Sequence, residues 1–312
     1  MSALAVDPLW PRAGDWPAWS ERADERTDAA TAVIIGVPTW RTSLSPTSAH
    51  TTPAAVREAL RRYSPTLLGP PPVDLTAALR ILDAGDVADP DGPVGEEAAT
   101  ARVGDLASAA DLVIALGGDN AATVPVARGA GARGLITLDA HFDLRDGVSN
   151  GSPVRRLIEG GLDPTRVVQV GIADFANSAA YARRAADLGI TVITLDELRS
   201  RPETDVVAEA LSIAGGGTDA DADLGRIHLD IDVDVCDRSV APGCPASLPG
   251  GLSADALRRL VRAFARDPRL RSADVVEVDA AADTPDARTV RLAALCVLDL
   301  LAGLARRPRG SA

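Results

Sequence analysis

The sequence predicts an α/β protein: a three-layer α/β/α sandwich around a mostly parallel sheet of about eight strands. Three observations predict it. Short apolar runs at residues 32–36, 112–116, 134–138 and 167–170 alternate with segments of helical pattern. Strands covered on both faces by crossover helices read as such continuous apolar runs. No internal repeat or composition break divides the 312 residues, a length that one large α/β domain accommodates. Aromatic residues make up only 3% of the chain, so the core is built from Ala, Val, Leu and Ile.

Taken in order, residues 1–30 are polar with Trp10, Trp16 and Trp19 among them. They read as an arm on the surface of a single domain, 31–312. Residues 32–36 form a buried strand and 37–51 a loop rich in Ser, Thr and Pro. Thr52 with Pro53 then signals the N-cap and first turn of a helix to about Tyr63. A Pro-rich connector spans 64–72, a second strand lies near 79–82, and a helix covers 95–110. Further strands are expected at 112–116, 134–138, 167–170, 190–194, 227–234 and 275–278. The intervening helices are expected at 121–128, 153–160, 178–188, 203–213, 253–264 and 288–304, with Ser253 as an N-cap.

Composition excludes several function classes. A net charge of -12 argues against nucleic acid or an anionic membrane as partner. No run is apolar enough to span a bilayer, and the N-terminus lacks the pattern of a secretory leader. All 32 basic residues are arginine, which removes P-loop, Schiff-base and pyridoxal chemistry. Cys236, Cys244 and Cys296 form neither a metal-binding pair nor a disulfide framework, and a reducing, cytoplasmic setting is expected.

The chemistry is concentrated at strand ends. Asp230, Asp232 and Asp234 alternate along the strand expected at 227–234, which places them on one face. Three carboxylates there repel one another and demand a cation. In parallel sheets ligands bind beyond the carboxyl ends of the strands. Gly117-Gly118-Asp119-Asn120, the Asp139/His141/Asp143 triplet and Glu277 all fall at such ends. Carboxylates with one imidazole suit an ion such as Mn²⁺. The paired glycines permit close backbone approach, but they are not a dinucleotide fingerprint.

In this order the motifs resemble the ureohydrolase family of arginases, agmatinases and formimidoylglutamases, over residues 30 to 306. GGDN at 117–120 resembles the family's GGDH, DAHFD at 139–143 matches its DAHxD, and DIDVD at 230–234 with APG and GGL downstream resembles its SxDxD segment. Glu277-Val278-Asp279 resembles its EVN. The resemblance implies an arginase-type fold and two Mn²⁺ ions bridged by Asp139 and Asp232. His141 and Asp234 would complete one ion's shell, Asn120 and Asp143 the other's. Metal-bound hydroxide would attack the trigonal carbon of an amidine or guanidine, with Asp234 relaying the proton, His141 beside it and Glu277 receiving the cationic N–C–N group. Asn120 replaces the family's first ligand histidine, so its metal is expected to be held more weakly, leaving one or two ions per subunit. Asp230 stands in the usual serine place, and Asn150-Gly151 in the place of a pocket-lining histidine-glycine.

DAHFDLR, NGSPVRRL and GIADFANS resemble the formimidoylglutamase subgroup. Arg145 would receive a substrate carboxylate, with Arg155 or Arg156 as a second contact, and Asn150 would line the pocket. The implied reaction is hydrolysis of N-formimidoyl-L-glutamate to L-glutamate and formamide, a step of histidine breakdown. An agmatinase-like guanidine hydrolase and a silent, regulatory homologue are the alternatives. Members of the family commonly form homo-oligomers.

Overall fold

The computed structural model describes residues 7–22, 28–216 and 225–308. Its centre is an eight-stranded sheet: β1 (Thr31–Val37), β4 (Arg80–Asp86), β5 (Leu112–Gly117), β6 (Gly134–Leu138), β7 (Val167–Ile172), β8 (Thr191–Thr194), β9 (Ile227–Asp232) and β10 (Leu270–Val276). The strand order is β4-β1-β5-β10-β9-β6-β7-β8, and every neighbouring pair is parallel. The expected three-layer architecture is therefore the observed one. A two-residue antiparallel ladder joins β2 (Thr66–Leu67), inside the stretch expected to be an irregular connector, to β3 (Val73–Asp74) just beyond it.

Side-chain alternation divides the core between the two faces. Val33, Ile35 and Val37 of β1 join Ala99, Val103 and Leu106 of helix α4 (Gly92–Ala107). Ile34 points the other way, into the cluster that holds α2 (Thr52–Leu60), α9 (Glu203–Ala214), α10 (Ala254–Phe264) and α11 (Arg288–Leu304). Helices α5 (Thr123–Gly129), α6 (Pro153–Glu159) and α7 (Ala179–Leu188) cover the rest of the α4 side. Short helices α1 (Trp19–Arg22), α3 (Leu75–Ala78) and α8 (Leu195–Ser200) were not expected. Of the first thirty residues, Ala13 is buried and Ala18 bridges Asp83 of β4.

Three expectations are corrected. The strand expected at 227–234 ends at Asp232, and Val233–Val235 is a 3₁₀ turn. The Asp232 carboxylate accepts from the Asp234 amide at 2.8 Å, a local bond that competes with the sheet ladder. Asp234 thus leaves the strand face. The last strand runs from Leu270 to Val276 instead of 275–278, its polar Ser272 and Asp274 being answered by His228 on β9. Thr52 is helical, not an N-cap; its hydroxyl donates to the carbonyl of Val278.

Candidate metal centre

The four central strands β5, β10, β9 and β6 are neighbours, and each delivers one motif at its carboxyl end. After β5, a Cβ on Gly118 would lie 2.0 Å from the Thr39 carbonyl oxygen. Only glycine lets the chain pass there. Asp119 then caps the turn by accepting from the Ala121 amide, which turns the buried Asn120 inward. Glu277, directly after β10, and Asp143, after β6, have φ of 59° and 52°. Left-handed backbone at a non-glycine residue costs on the order of 1–3 kcal/mol and persists where the surroundings fix it. Here the Glu277 amide donates to the Gly118 carbonyl at 2.9 Å.

The carboxylates converge as two overlapping groups. Asp139, His141 and Asp234 place ligand atoms within 4.8 Å of one another, and so do Asp139, Asp143 and Asp232. Asp139 belongs to both. It is fully buried, and its Oδ2 has no hydrogen-bond partner among the described residues. Asp232 belongs to one group only, although a bridging role was expected of it. A buried, orphaned carboxylate oxygen flanked by four more oxygen or nitrogen ligands fits a hard-to-borderline divalent ion.

Asn120 is turned in an unexpected way. Its Nδ2 donates to Asp143 Oδ2 at 2.8 Å and to Asp232 Oδ2 at 3.1 Å, while its Oδ1 accepts from the Thr123 hydroxyl at 2.6 Å. The amide nitrogen, not the expected ligand oxygen, faces the carboxylates.

Electrostatics show the same demand for positive charge. Burial, then the Asp234 charge, pushes Asp139 up to about 7. Burial and neighbouring carboxylates hold Asp143 and Asp232 well above the ordinary range. Burial opposes charging of His141, but Asp234, 2.6 Å from its Nδ1, outweighs it with Asp139 and raises the ring to about 12. Burial likewise works against ionised Asp234, yet the His141 charge brings it below its usual value. Asp230 and Asp274 sit opposite each other on β9 and β10, fully buried. Both Asp230 oxygens lack hydrogen-bond donors, and burial with the Asp274 charge drives its pKa well up. Asp230 therefore lies beneath the ligands on the same strand face, outside both groups. His228 is a buried partner of Ser272 and Asp274.

A cavity of about 270 Å³ opens onto these groups and is lined by His141, Asp143, Asp232, Asp234, Glu277 and Arg145, with Asn150 and Tyr181 at its walls. The exposed Arg145 guanidinium makes no hydrogen bond or ion pair with a described residue. Its stem crosses Gly151, where a Cβ would meet Arg145 Cδ at 2.7 Å. Arg155 and Arg156 are committed elsewhere. Arg155 binds Glu159 and the carbonyls of Arg145 and Gly147, and Arg156 binds Glu96. Asn150 donates from Nδ2 to Glu277 Oε1 at 2.7 Å. His50 stacks on Trp40, centroids 4.7 Å apart, and is not among the lining residues. Sequence reasoning gave no role to Asn177, which clamps the ligand loop by accepting from the Phe142 amide and donating to the Ala140 carbonyl. Its signal was present in the FANS stretch.

Comparison with known proteins adds the lineage. Residues 30–303 match the arginase family. The formimidoylglutamase of Halalkalibacterium halodurans is 33% identical over 285 residues, 86% of each chain, and that of Bacillus subtilis is 32% identical over 88% of each. The crystal structure of the B. subtilis formimidoylglutamase superposes with a TM-score of 0.83 at 29% identity, covering 99% of this chain and 96% of that one. The Trypanosoma cruzi formiminoglutamase with two Mn²⁺ ions gives 0.79 at 26% identity, over 94% and 100%. With the family's motifs gathered at the ends of four adjacent strands and a match that spans almost the whole sheet, this chain belongs to the arginase family.

Proposed function

We propose that the protein hydrolyses N-formimidoyl-L-glutamate to L-glutamate and formamide, using Mn²⁺ held by Asp139, His141, Asp143, Asp232 and Asp234. The observation that carries this reading is the polarity of the pocket. At its floor the buried Glu277 carboxylate meets a cationic amidine, and Arg145 stands uncommitted on the wall for the substrate's carboxylates. The formimidoylglutamases similar to this chain support it.

Bound Mn²⁺ supplies Lewis acidity that lowers the pKa of a water. The chain's residues do the rest. Glu277, buried at the floor, orients the amidine by pairing with its charge. Asp234 Oδ2, already sharing a proton with His141 Nδ1 at 2.6 Å, is placed to pass one toward the departing amine. A panel of formimidoylglutamate, agmatine, arginine and guanidinobutyrate, read by formamide, urea and ammonia release, tests the reading. Formamide from the first substrate is expected. Urea from agmatine with no formamide would instead establish the guanidine hydrolase, and no turnover with added millimolar Mn²⁺ the silent homologue.

Asn120 sets the strength of the second site. For its oxygen to ligate, the amide must rotate by half a turn, exchanging two carboxylate hydrogen bonds for one metal bond. Asn120→His replaces a neutral amide by imidazole. It is expected to tighten the weaker Mn²⁺ roughly 10–100-fold, the range by which single ligand-shell changes act, measured by metal titration. Equal affinities would sink this account.

Manganese binding should also depend steeply on pH. Asp139, raised to about 7, and the raised Asp143 and Asp232 hold protons that the metal must displace. Affinity is expected to rise between pH 6 and 8, about tenfold per pH unit for each proton released. Calorimetry in buffers of different ionisation enthalpy counts those protons; a heat independent of buffer contradicts the prediction.

A further inference from the structure

Asn150 entered the sequence reading as a pocket-lining residue, and the structure gives its amide two other tasks. Nδ2 donates to Glu277 Oε1 at 2.7 Å. Oδ1 accepts from the Leu44 amide at 3.0 Å, and the Asn150 backbone amide donates to the Thr42 carbonyl at 3.4 Å. The Asn120 backbone amide also donates to Glu277 Oε1, at 2.8 Å. A carboxylate oxygen offers two lone-pair sites, so these two donors saturate Oε1. The other oxygen, Oε2, accepts from no described residue, and Glu277 lines the pocket. Glu277 therefore presents one open oxygen to an incoming cation, and the two-point fork that a free carboxylate offers an N–C–N group is closed.

This changes which cations the floor satisfies. A formimidoyl head ends in one NH₂ group and a C–H. A guanidino head replaces that C–H by a second NH₂. One open oxygen takes up a terminal NH₂ of either head, but it leaves the second NH₂ of the guanidine without an acceptor on the buried Glu277 carboxylate. Sites that leave a buried polar group unpaired discriminate far more strongly than sites that only differ in shape.

We infer that Asn150 is a specificity-determining residue that acts through Glu277: by occupying Oε1 it closes the fork and makes the floor selective for amidines over guanidines. This rests on the proposed role of Glu277 as the receiver of the substrate's cationic group. Asn150 is a positioning residue here, held in place by the 42–44 segment of the rim and in contact with the carboxylate instead of the substrate.

The test uses a matched pair of ligands, N-formimidoyl-L-glutamate and its guanidino counterpart N-carbamimidoyl-L-glutamate. They share one tail, so Arg145 contributes equally to both. The manganese-loaded protein is compared with Asn150→Ala, which frees Oε1, and with Asn150→Leu, which removes the donor at similar volume without adding a charge beside Glu277. Each ligand is read by kcat/KM where it is turned over and by inhibition constant where it is not. Calorimetric Kd values serve for a variant that has lost turnover, with thermal unfolding to verify the fold. The preference for the formimidoyl ligand is expected to fall at least about tenfold in both variants, the effect of re-pairing one buried donor. The shift should come chiefly from tighter binding of the guanidino ligand, which a merely loosened rim would not produce. A preference unchanged within about twofold in both variants overturns the inference while leaving the proposed reaction standing. Failure of the wild-type protein to release formamide removes the proposed reaction, and the inference with it.

Discussion

Asp139→Asn is expected to abolish turnover and metal binding together. Asp139 is the one residue present in both ligand groups, and it is fully buried with an orphaned Oδ2. Losing several kcal/mol of charge stabilisation corresponds to a rate loss of roughly 10³-fold or more. The same substitution should leave the metal-free protein as stable or more so. Burial and Asp234 raise Asp139 to about 7, above its unfolded value. A carboxyl raised in this way contributes stability below its unfolded pKa and loses it as pH rises toward 7. At pH 8 the metal-free wild type therefore carries an unfavourable buried charge that the asparagine variant lacks. Thermal unfolding at pH 8, with and without Mn²⁺, reads both effects. The wild type should gain a large Mn²⁺-dependent increase in Tm, and the variant almost none. A variant that retains manganese and activity would show that Asp139 is not the shared ligand.

Glu277→Gln should remove activity by a different route. The substitution keeps the size of the side chain, and an amide oxygen can still accept from the Asn120 amide and Asn150 Nδ2. What it loses is the charge opposite the substrate's cation. Breaking a buried ion pair by removing one partner costs about 3–5 kcal/mol, or roughly 10²–10⁴-fold in kcat/KM. Mn²⁺ content should be unchanged, which separates this variant from Asp139→Asn. Burial, then the charge of Asp119, pushes Glu277 up to about 8, partly offset by the hydrogen bonds from Asn150 and the Asn120 amide. Binding a cation requires the ionised form. In the wild type kcat/KM is therefore expected to rise with pH, half-maximal near 8 and level about a pH unit higher, and that limb should vanish in the variant. Lost manganese in Glu277→Gln would point to a metal-holding role for this residue.

The two substitutions probe opposite ends of one arrangement. Asp139 and its neighbours form a floor too negative to be comfortable without cations, and Glu277 extends that negative field to the proposed place of the amidine. Among the described residues that line the pocket, Arg145 is the one arginine, and its guanidinium is uncommitted. A chain without lysine has placed arginine there, and Arg155 braces it by binding the Arg145 carbonyl from α6. The net charge of -12 is a poor guide to the substrate, because exposed charges beyond about 8 Å are screened at physiological ionic strength. The local pocket decides.

Much of this was legible in the chain itself. Apolar runs located seven of the eight strands and touched only the end of β10, since strands buried on both faces leave a dense, local hydrophobic signal. The motifs at 117–120, 139–143, 230–234 and 277 identified the family because each is contiguous. Their spacing records local backbone geometry. Short-range reading failed where side chains compete with the backbone. Asp232 captures the Asp234 amide and ends β9 two residues early. Ser272 and Asp274 disguise the start of β10 because their partner, His228, lies 44 and 46 residues away.

Only the folded chain decided what the motifs do to one another. The strand order sets β10 between β5 and β9, which brings Glu277 beside Asn120 across 157 residues. Nothing local encodes that adjacency, because it follows from how helices pack on the two faces of the sheet. The turn of the Asn120 amide toward Asp143 and Asp232, the burial of Asp230 against Asp274 and the grip of Asn150 on Glu277 are all contacts between distant segments. Sequence therefore determined which chemical groups the centre contains. Tertiary packing determined which oxygen of each carboxylate is already taken and which is left open, because hydrogen bonds between segments form only once the strands stand side by side.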